Sequence, residues 1–185
     1  MIYEEKTIGS EHIYDGGIIK VDKLRVILPN GKEAARDMVY HPGASVVVPI
    51  NENGEVYMVR QYRKPIEKIS LEVPAGKLDA GEKPEACANR ELKEETGLVA
   101  KSMKHIASVH STPGFCNEVL HLYVATGLEE GEACADEDEF ISSEKVPVKE
   151  LVDMVLSGEI TDAKTIIGIL LADKILEGKI EGFSV

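Results

Sequence analysis

The chain has 185 residues, the length of one domain with a small appendage, and 43% of them are apolar, enough for a sizeable core. Its 33 acids against 21 bases give a net charge of −12, which argues against a general nucleic-acid binder and against an anionic-membrane binder, since both need a basic surface. Three cysteines without a Cys-x-x-Cys pair and five histidines without a His-Glu-x-x-His pattern argue against a disulfide framework, a thiolate zinc site and a zincin. The absence of an export signal or a long apolar span makes a cytoplasmic protein the expectation.

The first forty residues read as short strands broken by turns. Ile18–Asp22 and Leu24–Leu28 are two such strands, and Pro29-Asn30-Gly31 after them is a hairpin turn. His41-Pro42-Gly43 breaks this pattern. A soft boundary near residue 42 therefore separates an N-terminal antiparallel β arm (1–42) from a main domain (43–185). The β-branched run Ala44–Ile50 predicts a strand buried on both faces, and Val56–Tyr62 the next strand. Lys83 to Thr96 reads as a helix, with Pro84 in its first turn and Gly97 at its stop. Further strands are expected at Ile106–His110 and Val119–Ala125, then an exposed acidic loop over Glu129–Glu139. Two helices close the chain, one from Pro147 to Gly158. The other starts near Thr161 or Asp162, with Ile166, Ile167, Leu170, Leu171 and Ile175 on one stripe.

The segment Gly76–Leu98 carries the chemistry. At about 100° per residue, Glu91 and Glu95 fall within about 40° of each other, and Glu94 lies about 60° further round. Ala88 and Leu92 lie beside Glu95, so the acids border the buried face. Like charges at this spacing repel, and burying them costs more still, unless a cation compensates. Carboxylates converging on one helix edge suit a hard divalent ion such as Mg²⁺, with Mn²⁺ as a substitute. Glu82 lies just ahead of the helix, and Arg90 can anchor either Glu82 or Glu94 in a charge-assisted pair. Taken alone, Arg-Glu-Leu-Lys-Glu-Glu would be a solvated helix face. The full segment, however, satisfies Gly-x5-Glu-x7-Arg-Glu-U-x-Glu-Glu-x-Gly-U, with U aliphatic, from Gly76 to Leu98. Its fixed residue types would recur by chance with a probability on the order of 10⁻⁸ per start position.

This segment resembles the Nudix box, complete and without substitution. The resemblance implies an α/β/α sandwich around a mixed sheet and Mg²⁺-dependent hydrolysis of a nucleoside diphosphate linked to another group. The flanks are similar to the ADP-ribose pyrophosphatases: Val59–Arg63, the lead-in Leu71-Glu72-Val73-Pro74-Ala75-Gly76, and the loop Thr112-Pro113-Gly114-Phe115-Cys116-Asn117-Glu118. Pro113 stands fifteen residues beyond Leu98, the placement found in that group. The chain departs from it at Thr112, Cys116-Asn117 and Asp37, which bears on the adenine contacts.

By resemblance, the Ala75 carbonyl, Glu91 and Glu95 hold metal, with Glu94 and Arg90 beside them, and Glu139 in the acidic loop is the base. Arg63 would grip the phosphates or the terminal ribose. Arg36 and Ile18 would border the adenine, with Pro113, Gly114 and Glu118 in the substrate loop. The implied protein is a homodimer that cleaves ADP-ribose to AMP and ribose 5-phosphate, its partner a small-molecule nucleoside diphosphate. Rival readings are a GDP-mannose-type nucleotide-sugar pyrophosphatase and a catalytically silent ligand sensor. Such a sensor should have lost box carboxylates, and here they are all present.

Overall fold

The computed structural model describes residues 3–131 and 140–183. They fall into two compact units. One comprises the chain up to Gly43 together with His110–Val119, and the other comprises Ala44–Val109 and the chain from Leu120 on.

The first unit is an antiparallel meander of β1 (Lys6–Asp15), β2 (Lys20–Ile27) and β3 (Glu33–Tyr40), in that order. Where two short strands were expected, β2 is continuous, because Lys20 through Ile27 all pair in unbroken register with Tyr40 through Glu33. The turn forms at Pro29-Asn30-Gly31, with Gly31 N–H donating to Leu28 O at 2.8 Å and the Asn30 side chain accepting from Lys32 N–H at 3.0 Å. The loop containing Pro113-Gly114 clusters with this arm. Val39 N–H donates to Phe115 O at 2.8 Å, Asn117 N–H returns to Val39 O at 3.2 Å, and His41 N–H donates to Asn117 Oδ1 at 2.8 Å. Val26 is the one buried apolar side chain of this unit among the described residues.

The second unit holds two sheets among the described residues. One has the order β7 (Ala75–Lys77), β4 (Ala44–Pro49), β9 (Val119–Glu130), β8 (Leu98–His110), with β4 and β9 parallel and β4 and β7 antiparallel. The other is the antiparallel set β10 (Ser142–Pro147), β5 (Glu55–Arg63), β6 (Lys68–Glu72). β8 starts earlier than the periodicity suggested. β9 runs on through Glu129 and Glu130, which were expected in a loop; exposed acids are compatible with a strand once its backbone is paired.

Strand β4 is buried along its whole length, and its alternation feeds two cores. Val47 packs with Ala88 and Leu92 of α1 (Pro84–Thr96), and with Leu98 and Tyr123. Val46, Val48 and Ile50 pack in the other core, with Leu151 of α2 (Val148–Leu156) and with Ile169, Ala172 and Ile175 of α3 (Ala163–Leu176). Helices thus cover both faces of a mixed sheet. The buried face of α3 is Thr165, Gly168, Ile169, Ala172 and Ile175; of the expected stripe Ile175 alone lies on it, while Leu170 is exposed and Ile166, Ile167 and Leu171 are half-buried. This helix is apolar nearly all round, so period alone selects no face, and close approach decides instead. A Cβ on Gly168 would stand 2.9 Å from Val48 Cγ2. Among the described residues no helix is long and apolar enough to cross a membrane.

Candidate active site

The acidic edge of α1 faces the backbone that follows β6. Glu91 and Glu95 are each only 8% exposed, in line with Cys87, Ala88 and Leu92 on the buried side of the helix. Ala75 N–H donates to Glu95 Oε2 at 3.1 Å. Gly76 lies against Glu91 so closely that a Cβ there would meet Oε1 at 1.9 Å. Helix and β7 are therefore locked together at the residues that carry the acids. The helix stops at Gly97, whose N–H returns to Lys93 O at 2.8 Å.

Arg90 organises this edge. Its Nε and Nη2 donate to Glu82 Oε1 and Oε2 at 3.0 and 2.9 Å, a bidentate pair. Its Nη1 donates to Glu91 Oε1 at 2.6 Å and to Glu94 Oε2 at 2.9 Å, and Nη2 also reaches Lys77 O at 3.2 Å. Arg90 thus holds both acids that the sequence offered as alternatives, and Glu91 as well. The Arg90 hydrogen bonds pull the Glu82 carboxyl down to about 2, and the same bonds raise Arg90 further above its already high value. Beneath it, burial pushes the Cys87 thiol up to about 11. This thiol therefore stays protonated, near the carbonyls of Gly76 and Lys77.

The donor chemistry fits a hard divalent cation. Glu82, Glu91, Glu94 and Glu95 supply carboxylate oxygens only, on one helix edge and its approach, against the single positive charge of Arg90. In the arrangement described, Arg90 occupies Glu91 and Glu94, and among the described residues no three His, Cys, Asp or Glu side chains are gathered at one point.

A second polar cluster lies on β5, β6 and the start of α3. Arg63 Nε and Nη2 donate to Glu72 Oε1 and Oε2 at 2.9 and 2.7 Å. Lys164 Nζ also pairs with Glu72 Oε2, and donates to Asp162 Oδ2 at 3.0 Å. Asp162 caps α3, accepting from Thr165 N–H at 3.0 Å and from Thr165 Oγ1 at 2.7 Å. Thr165 Oγ1 in turn accepts from Val73 N–H at 3.0 Å. Burial alone would raise the Glu72 carboxyl, but the Arg63 hydrogen bonds and the Lys164 charge outweigh it and hold it at about 2. Arg63 is raised by Glu72 first, and the charge of Glu95 also reaches it. Arg63, Glu72, Asp162 and Lys164 line a cavity of about 360 Å³. In the sequence Glu72 stands only as part of the lead-in to the box. The available signal was an acid placed between Leu71 and Val73, where the strand otherwise reads as core.

The remaining sequence candidates lie in the first unit or outside the described residues. Arg36, Pro113 and Gly114 line one cavity of about 480 Å³. Arg36 is engaged there by Glu5, through Nε at 3.0 Å and Nη2 at 2.5 Å. Glu118 Oε1 stands 3.3 Å from His41 Nδ1. Ile18 is 59% exposed and does not line that cavity. Glu139 lies outside the described residues.

The NUDIX domain profile matches residues 39–167. The chain is 44% identical to the methanol dehydrogenase activator of Bacillus methanolicus over 170 residues, 91% of this chain and 92% of that protein. It is 44% identical to the ADP-ribose pyrophosphatase of Bacillus subtilis over 164 residues, 88% of this chain and 89% of that protein. Its fold is similar to that of a crystal structure of an ADP compounds hydrolase, with a TM-score of 0.84, 21% identity, and coverage of 96% of this chain and 97% of that one. With the profile spanning most of the chain and the box acids held on one helix edge, the chain belongs to the Nudix hydrolase family.

Proposed function

We propose that this chain is a Mg²⁺-dependent ADP-ribose pyrophosphatase, releasing AMP and ribose 5-phosphate by attack of water on the diphosphate. The observation that carries the reading is the pair of buried acids, Glu91 and Glu95, drawn against the Ala75-Gly76 backbone. The choice of ADP-ribose is supported by the 44% identity to the B. subtilis pyrophosphatase.

In this reading the Ala75 carbonyl, Glu91 and Glu95 would hold the cation, with Glu94 beside them. Mg²⁺ bound there supplies charge neutralisation of the diphosphate and a more acidic water. Arg90 keeps the acids in place, since its fixed fork spans Glu82, Glu91 and Glu94 at once. Arg63 binds the anionic substrate, and Arg36 and Ile18, with Pro113, Gly114 and Glu118, serve the adenosine side. Glu139 accepts the proton of the attacking water. The test is kcat/KM over a panel of ADP-ribose, GDP-mannose, ADP-glucose, NADH and diadenosine polyphosphates. ADP-ribose is expected first, with AMP and ribose 5-phosphate as products; a higher value for GDP-mannose would replace the substrate and keep the hydrolase.

The β arm is expected to pair with a second copy. Ile13 and Tyr14 are exposed on β1, and Ile18 on the turn between β1 and β2, in a unit that buries little of its own apolar surface. Sedimentation of the full chain should give a dimer, and a monomer at micromolar concentration would remove this part of the proposal.

A second reading is favoured by the name of the B. methanolicus relative: the hydrolase would act to activate a methanol dehydrogenase. Methanol oxidation by such an enzyme, measured with and without this chain, separates the two readings. Stimulation supports the second, and an unchanged rate leaves the first alone.

A further inference from the structure

We infer that Lys164 is a resident counter-ion for Glu72 that frees Arg63 to leave it for a phosphate-bearing anion. The inference rests on the reading of Arg63 as an anion-binding residue.

Glu72 is 2% exposed, and two cations meet it, on different terms. Arg63 is 41% exposed and stands on the last residue of β5, at the rim of the cavity. Lys164 is 12% exposed, sits in the first turn of α3, and is also paired with Asp162. Asp162 is itself fixed by Thr165, and Thr165 by the Val73 backbone. Lys164 is therefore the fixed partner and Arg63 the exchangeable one.

A buried carboxylate stripped of its counter-ion is strongly destabilising. If Arg63 were the only partner of Glu72, moving it onto a substrate phosphate would leave that carboxylate alone, and the cost would be subtracted from binding. With Lys164 in place, Glu72 stays paired whether Arg63 is on it or off it. The polar contacts are otherwise over-supplied for a purely structural role: one buried acid takes three hydrogen bonds from two cations, while Val73 and α3 are already tied by Thr165. Lys164 is thus a positioning residue that acts through Glu72 on the reach of Arg63.

The test follows the Arg63 Nε–Hε resonance of the full chain, assigned by its loss in Arg63→Lys, during a titration with inorganic pyrophosphate in the presence of Mg²⁺. In the wild type the resonance should shift saturably. In Lys164→Met, Glu72 retains Arg63, and half-saturation should need about tenfold more pyrophosphate, the scale of coupling between contacting residues. Lys164→Arg should titrate like the wild type. The double variant Glu72→Gln/Lys164→Met has no buried unpaired charge and leaves Arg63 unheld, so it should bind at least as well as the wild type; a merely structural role would make it worse. An Arg63 resonance that ignores pyrophosphate, an unchanged midpoint in Lys164→Met, or a double variant weaker than the wild type would each overturn the inference. ADP-ribose hydrolysis by the same wild-type sample reports separately on the functional reading. If that activity is missing while Arg63 titrates as described, the substrate assignment fails and this inference stands.

Discussion

Gly76 and Glu91 stand so close that a Cβ on the glycine would lie 1.9 Å from Oε1 of the acid and 2.1 Å from its carboxyl carbon. Any side chain at residue 76 must push the Glu91 carboxylate out of its place between the β7 backbone and Arg90. Gly76→Ala is therefore expected to destabilise the fold by about 1–3 kcal/mol, as overpacking does. It should lower kcat by about 10²-fold, since a displacement near 1 Å at a catalytic group has that effect. Thermal melting with steady-state kinetics checks both, and an active Gly76→Ala enzyme would show that Glu91 is free to work from elsewhere.

The Glu72 carboxyl sets a pH dependence of stability. Its value in the folded chain is about 2, below the ordinary 4.5. The unfolded chain therefore binds the proton first. The stabilisation is complete above about pH 4.5 and is lost as pH falls towards 2. A shift of this size on a buried group corresponds to about 3 kcal/mol. Melting temperatures taken from pH 7 down to pH 2.5 should fall in this window. Glu72→Gln should melt lower at pH 7, with a shallower decline on acidification. An identical slope in both would place the acid sensitivity elsewhere.

Glu139 is the proposed base. A proton acceptor acts in the transition state, so Glu139→Gln should lower kcat by at least about 10²-fold with little change in KM. Glu137 is the next candidate in the same acidic stretch. If both variants keep full turnover, the base belongs to α1, with Glu94 first.

Much of this could be read from the sequence because it is local. The box helix, its Pro84 start and its Gly97 stop follow from spacing and composition, and helical geometry alone put Glu91 and Glu95 beside Ala88 and Leu92. The doubly buried β4 was likewise legible, because Val46 to Val48 leave no polar face. What escaped depends on distant pairing. The length of β8 is set by its neighbour β9 rather than by its own alternation. The buried face of α3 is chosen by the fit of Gly168 on Val48, which an all-round apolar sequence does not encode. In the Arg63–Glu72–Lys164 cluster, Glu72 bonds Lys164 across 92 positions of sequence, so no window of spacing could assemble it.

The most direct measurement is turnover of ADP-ribose at saturating Mg²⁺ by the wild type, Glu91→Gln and Glu95→Gln, with an EDTA control. The acids are taken to act by holding the cation, so each substitution should cut kcat by at least about 10²-fold while the melting temperature changes little, and EDTA should abolish wild-type turnover. Near wild-type turnover in either variant, or hydrolysis that survives EDTA, would contradict the account.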